Sequence, residues 1–144
     1  MKKNTNSVKS TSKKRPYRLN KHQKLWIDTL LSGKTKKCKD LLSSEDGKSN
    51  CCLGVAVKVC GLEKLSSLTE RSKSSSEESL ENFPLTLKAL KLRDELGFFD
   101  ESYLKEAAYD DLRMNNLTSL NDDTEMTHAD IGKFINENRE AVFK

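Results

Sequence analysis

Four thiols, two imidazoles and a scatter of carboxylates are the groups in this chain with chemistry to offer. A cysteine hydrolase needs a thiolate, a histidine base and a carboxylate or amide to orient that base. The candidate parts are Cys38, Cys51, Cys52 or Cys60, with His22 or His128 and with Asp130 or Asn121. No spacing along the chain joins them into a triad, so a cysteine-dependent hydrolase ranks behind two non-catalytic readings. Residues 50–61, NCCLGVAVKVCG, hold three of the four cysteines in otherwise apolar surroundings. A reactive thiolate needs an electropositive, partly exposed setting, whereas a free cysteine among aliphatic residues behaves as a small buried hydrophobe. Cys51, Cys52, Leu53, Gly54 and Val55 are therefore expected to be structural core. His128, second in a helix cap where the dipole favours the neutral ring, is expected to face solvent.

Metal and phosphate chemistry find less. Adjacent Cys51 and Cys52 lack the two-to-four-residue spacing that lets two sulfurs meet one tetrahedral zinc, and two histidines are too few to complete a site. The doublets Asp110-Asp111 and Asp122-Asp123 read as solvated charge on polar turns rather than a magnesium pair. Gly33-Lys34-Thr35 has the ending of a phosphate-binding loop without its upstream glycine or preceding strand, and reads as a helix stop followed by a basic turn. Neither metal nor cofactor is expected.

Charge gives a stronger signal. Residues 1–48 carry 14 lysines and arginines against four acids, a net of +10, and residues 49–144 carry 12 against 18, a net of −6. Nine of the basic residues fall in the first 24 positions, with no acid among them and with Asn, Ser and Thr between. Such a segment cannot build a core, so residues 1–19 are expected to form a flexible basic arm. A basic arm attaches to phosphates with release of counterions, or it acts as a solvated tail that aids solubility or docks on the acidic half of its own chain. The polyanion candidates are Lys13, Lys14, Arg15, Arg18, Lys21, Lys24, Lys34, Lys36, Lys37 and Lys39.

The elements that position these groups read as mostly helical. Asn20 caps a helix running to Ser32-Gly33, with His22, Leu25, Trp26, Thr29 and Leu30 on one face. Trp26 on that stripe reads as a core anchor rather than a platform for stacking a base. A short β-hairpin is possible near residues 35–50. The cysteine run suits a buried helix stopped by Gly61, with Leu62 making the following contact and Gly54 admitting another backbone. Glu63 to Asn82, rich in Ser, Glu and Lys, reads as a mobile loop centred on about 66–82. Pro84 opens a helix carried to Gly97. A short helix follows from Glu101 to about Ala108, then an apolar patch at Leu112 to Leu120. Asn121-Asp122-Asp123 forms a turn, and Thr127 to Asp130 is a capping box leading Ile131, Phe134 and Ile135 into the last helix.

The chain is 144 residues long, 33% charged and 35% hydrophobic, which suits one domain of modest core, residues 20–144, behind its arm. No run approaches the ~20 apolar residues of a membrane span, and the basic start lacks a signal peptide's apolar region. The expectation is a cytoplasmic protein with reduced cysteines and no membrane partner.

Taken together, the Trp26 helix closing in LLSGK (30–34), the CCLGV of 51–55, the Pro84-led helix ending in Leu96-Gly97, and the LND of 120–122 before a terminal helix carry a likeness. The chain resembles a family of small uncharacterised proteins encoded by tailed phages, over about residues 20–140. It departs from that pattern in its basic arm and in Asp123-Thr124-Glu125-Met126, where a glycine-containing turn is usual. The resemblance implies a viral accessory protein made in a bacterial cytoplasm and carries no catalytic residues with it. The leading function is a noncatalytic protein whose basic half binds nucleic acid or a nucleotide. The alternative is an interaction protein that masks a host protein with the apolar and aromatic residues near Phe83, Phe98 and Phe99, the arm folding on its partner.

Overall fold

A computed structural model describes residues 17–39, 42–44, 47–63, 79–104 and 115–144. Six helices and a two-stranded sheet form among them, a mostly α arrangement. Helix α1 spans Lys21–Leu31, strand β1 Lys36–Lys37, strand β2 Ser49–Asn50 and helix α2 Cys52–Cys60. Helices α3 (Pro84–Leu90), α4 (Leu117–Asp123), α5 (His128–Glu137) and α6 (Arg139–Val142) follow, with a 3-10 turn at Glu101–Tyr103.

Helix α1 begins where Asn20 and Gln23 cap each other, the Asn20 side chain accepting from the Gln23 N–H and the Gln23 side chain from the Asn20 N–H, both at 2.8 Å. It ends at Ser32 and Gly33. The buried stripe is Gln23, Trp26, Ile27 and Leu30, and Leu25 is 47% exposed. The face is thus rotated from the expected one, because Gln23 is buried. Its amide donates to the Leu90 carbonyl at 2.8 Å and to the Tyr17 hydroxyl at 3.1 Å, so a polar residue takes an inward position at no loss of hydrogen bonding.

Helix α1 packs against α5 and α2. A Cβ at Gly132 of α5 would lie 3.0 Å from Leu30 Cβ and 3.2 Å from the Leu31 nitrogen, so the small residue sets the closeness of that crossing. Trp26 is fully buried and its indole N–H donates to the Cys52 carbonyl at 2.9 Å, tying α1 to the first turn of α2. An edge-on contact with Phe143 at 6.3 Å extends this cluster, and Phe99 meets Phe134 likewise at 5.0 Å.

Helix α2 is the cysteine run. Cys51 caps it with its sulfur, which accepts from the Gly54 N–H, and Gly61 stops it in the left-handed region. Residues 51–57 are all buried. Gly54 admits the backbone as expected: a Cβ there would fall on the Leu42 carbonyl oxygen, whose lone pair is engaged by the Cys51 N–H at 3.0 Å. Leu62, by contrast, is 40% exposed and makes no closing contact.

The sheet lies where the hairpin was expected, but its strands are parallel, Lys36 opposite Ser49 and Lys37 opposite Asn50. The chain first doubles back through Ser43, which bridges Asn50 in antiparallel fashion, and so returns β2 in the direction of β1. Beyond the strands the Asn121 amide takes over the ladder. Its Nδ2 donates to the Cys38 carbonyl at 2.8 Å and its Oδ1 accepts from the Cys52 N–H at 3.1 Å. Asn121, Asp122 and Asp123 accordingly close helix α4 instead of forming a turn.

The expected helix from Pro84 to Gly97 ends at Leu90, because Lys91 adopts a left-handed conformation and Leu92 then pairs with Phe143. Pro84 does open it, and the carboxylate of Glu63 accepts from the Leu85 and Thr86 N–H groups at 3.0 Å each. Of the Ser-rich stretch, 64–78 lies outside the described residues, whereas Leu80 is buried and donates its N–H to the Glu95 carbonyl. Of the helix expected over 101–108, only the 3-10 turn and Leu104 are described. Residues 1–16 of the arm also lie outside them. Tyr17 is tied down, its hydroxyl donating to the Lys144 carbonyl and its ring 5.5 Å from Phe143. No described helix is long and apolar enough to cross a membrane.

Candidate anion-binding site

Strand β1 and the turn before it are almost wholly lysine and threonine, and side chains on a strand alternate between its faces. On one side lies a cavity of about 320 Å³ lined by Lys34, Thr35, Lys36, Lys48, Asn50 and Lys58. Parallel pairing makes it: the register that sets Lys36 opposite Ser49 brings the segment 34–36 beside 48–50, and helix α2 presents Lys58 from behind. Lys58 Nζ donates to Asn50 Oδ1 at 3.2 Å and to the Gly47 carbonyl at 3.3 Å, neutral partners that leave its charge uncompensated. Among the described residues four lysines line this space and no acid does. Like charges gathered in a concave surface raise the local potential and are relieved by a bound anion.

A second cavity, about 390 Å³, lies along the other face and shares Thr35. Lys37, Lys39, Met126 and His128 are among its walls. Lys37 differs from the other polyanion candidates. Its ammonium donates to the Met126 carbonyl at 2.6 Å and the Thr124 carbonyl at 3.2 Å, neutral partners that tie it to the segment after α4.

The expectation for His128 is corrected: it is 2% exposed, not solvent-facing. Its Nδ1 lies 2.5 Å from the Thr35 hydroxyl. Burial pulls its pKa down to about 4; the Asn50 backbone opposes this and the Lys37 charge adds to it. The ring is neutral at pH 7, and Nδ1 shares one hydrogen bond with the Thr35 hydroxyl. His128 Nε2 and Asn50 Nδ2 are buried without a partner in hydrogen-bonding geometry.

The remaining candidates divide. Arg18, Lys21 and Lys24 are exposed and line neither cavity. Lys24 pairs with Asp28 at 3.2 Å along the helix surface, an exposed pair worth about 0.3–0.5 kcal/mol. Lys13, Lys14 and Arg15 lie outside the described residues. Lys48, Lys58 and Asn50 were missed by sequence reasoning. Lys58 alone had a signal, as the one charge inside the apolar run.

The thiols have other surroundings. Burial pushes the Cys52 thiol up to about 12 and that of Cys60 to about 11, and raises Cys51 strongly. Cys52 is fully buried, with its sulfur 3.6 Å from the Leu117 carbonyl. The Asn121 amide considered for a triad is engaged with Cys38 and Cys52 backbone, and Asp130 caps α5. Among the described residues no three His, Cys, Asp or Glu side chains gather in a way that would hold a metal ion. Of the residues around which a host-protein surface is expected, Phe83 and Phe99 are themselves buried in the core and Phe98 is half-buried.

Comparison with protein-family models, with curated proteins and with solved structures finds no match to this chain.

Proposed function

We propose that this protein is a noncatalytic polyanion-binding protein, taking nucleic acid or a nucleotide through the lysines of its N-terminal half. The observation that carries the reading is the gathering of Lys34, Lys36, Lys48 and Lys58 around one cavity, with no acid among the described residues that line it. Lys58 adds helix α2 to the candidates, since it lines the same cavity as Lys34 and Lys36 of the segment entering and forming β1. Exposed Arg18, Lys21 and Lys39 add charge outside that cavity. The likeness to small tailed-phage proteins adds an accessory role during infection to the proposal.

Fluorescence anisotropy with labelled single- and double-stranded oligonucleotides and with a labelled nucleotide tests it. Affinity falls steeply between about 50 and 200 mM salt if phosphates are neutralised by lysine. Removing Lys34, Lys36 and Lys58 together as alanines lowers the magnitude of the salt slope by about 3, roughly one per contact. Deleting residues 1–16 separately measures what the arm contributes. A folded protein that binds none of these ligands at low salt overturns the reading.

A further inference from the structure

The parallel register places two cysteines opposite each other. Lys36 faces Ser49 and Lys37 faces Asn50, so the next pair in step is Cys38 and Cys51. The ladder is still closed as the chain arrives there, for the Cys38 N–H donates to the Asn50 carbonyl at 3.2 Å. Paired strands lie ~4.8 Å apart with opposed side chains on one face; at Cys38 and Cys51 one ladder bond remains and the Asn121 amide bridges the other, from the Cys38 carbonyl to the Cys52 N–H. A disulfide requires Cα atoms within about 4.4–6.8 Å, a window that includes that spacing. The electrostatic influence of Cys38 on the Cys51 thiol is a second sign of their closeness. Both cysteines are reduced in this structure.

We propose that Cys38 and Cys51 form a reversible intrachain disulfide by exchange with a low-molecular-weight disulfide of the glutathione type. The two positions differ in the way such an exchange needs. Cys38 is half-buried and reachable, and Lys36, Lys37 and Lys39 around it attract an anionic disulfide. Cys51 is 1% exposed, so it is the resolving partner. In the first step the Cys38 thiolate attacks one sulfur of the small disulfide, forming a mixed disulfide and releasing one thiolate. In the second, the Cys51 sulfur displaces the other small thiolate from Cys38, and the Cys51 proton passes to that leaving group. The protein loses two protons and two electrons, and the small disulfide takes them up to become two thiols.

The bridge would fasten β1 to the residue that caps α2. Lys34 and Lys36 form one side of the lysine cavity and Lys58 of α2 another, so closing the bridge fixes the cavity's width. This consequence rests on the polyanion reading; the bridge itself does not.

The test incubates the full, folded chain with oxidised glutathione, blocks remaining thiols with an alkylating reagent and applies intact and tandem mass spectrometry. The expected result is a chain lighter by two hydrogens, with a peptide linking Cys38 to Cys51, reversed by a dithiol. Cys38→Ser abolishes the loss of two hydrogens while leaving the fold intact by circular dichroism; this variant is chosen because Cys51 is buried and caps a helix. A chain unfolded in urea gives mixed pairings among the four cysteines, which shows that the fold selects the pair. Glutathione retained on Cys38 without closure, a link from Cys38 to Cys52 or Cys60, or no reaction in the folded chain overturns the proposal. Oligonucleotide anisotropy on the oxidised and reduced forms then reads the cavity separately: binding by neither form refutes the polyanion reading and leaves the bridge standing.

Discussion

Asn121 accepts the backbone N–H of Cys52 at 3.1 Å, across 69 positions of sequence. The same side chain donates to the Cys38 carbonyl at 2.8 Å, so one amide from α4 stands where strand β1 would otherwise have bonded directly to the start of α2. Asn121 is fully buried.

Asn121→Ala therefore leaves a donor and an acceptor unpaired in the interior and lowers stability by about 2 to 4 kcal/mol. Urea unfolding followed by tryptophan fluorescence measures this, since Trp26 bonds to the same Cys52 residue. A loss below about 0.5 kcal/mol, the level of an ordinary surface change, refutes the bridging role.

His128 makes stability depend on pH. Its pKa is depressed in the fold from 6.5 to about 4, so between those values the unfolded chain binds more protons than the native one. The contribution is fully present above pH 6.5 and is lost as pH falls toward 4, by on the order of 2 to 3 kcal/mol. Melting temperatures from pH 7.5 to 4 record it, and His128→Gln flattens the part of the curve between pH 6.5 and 4. An unchanged curve in that variant assigns the dependence to other groups.

Gly54→Ala sets a methyl group against the Leu42 carbonyl oxygen. The obstacle is backbone already bonded to the Cys51 N–H, so it does not swing aside as a side chain would. The expected loss is about 1–3 kcal/mol, the range for overpacking, seen as a lowered urea midpoint with unchanged slope. Tolerance of alanine there shows that the 42–44 segment is free to move away.

Glu63 caps α3 from outside the helix through the Leu85 and Thr86 N–H groups. Glu63→Ala costs about 0.5–2 kcal/mol by the usual scale of lost caps. Glu63→Gln, which keeps an acceptor oxygen, loses less. Hydrogen exchange at the amides of Leu85 and Thr86 quickens in the alanine variant, and equal exchange in both variants and the parent chain removes Glu63 from this role.

Much of this fold was legible because its signals are local. Capping pairs at Asn20 and Gln23 and at Thr127 and Asp130 mark helix starts from residues three apart, and Gly61 marks a stop. What could not be read depends on partners far away in sequence. Gln23 goes inward because Leu90 and Tyr17 receive its amide, which no helical periodicity reveals. His128 is buried because Thr35, 93 positions earlier, meets its ring. The lysine cavity needs the parallel register, and a parallel pair of two-residue strands leaves no alternation for a sequence to show. The same nonlocality hid Lys48 and Asn50 while leaving the arm conspicuous.

The packing of α1 against α5, and of Trp26 against Phe143, sets an order on how the chain comes into being. On a ribosome the first helix is made long before the segment that covers it, an interval of roughly 6 to 25 s at 5–20 residues per second for more than a hundred residues. Throughout that time α1, with Trp26, Ile27 and Leu30, has only α2 and then α3 to pack against it. The nascent protein thus carries an open apolar seam until its last helices emerge, and it is during synthesis, more than in the finished molecule, that this chain is exposed to capture by chaperones or by its own kind.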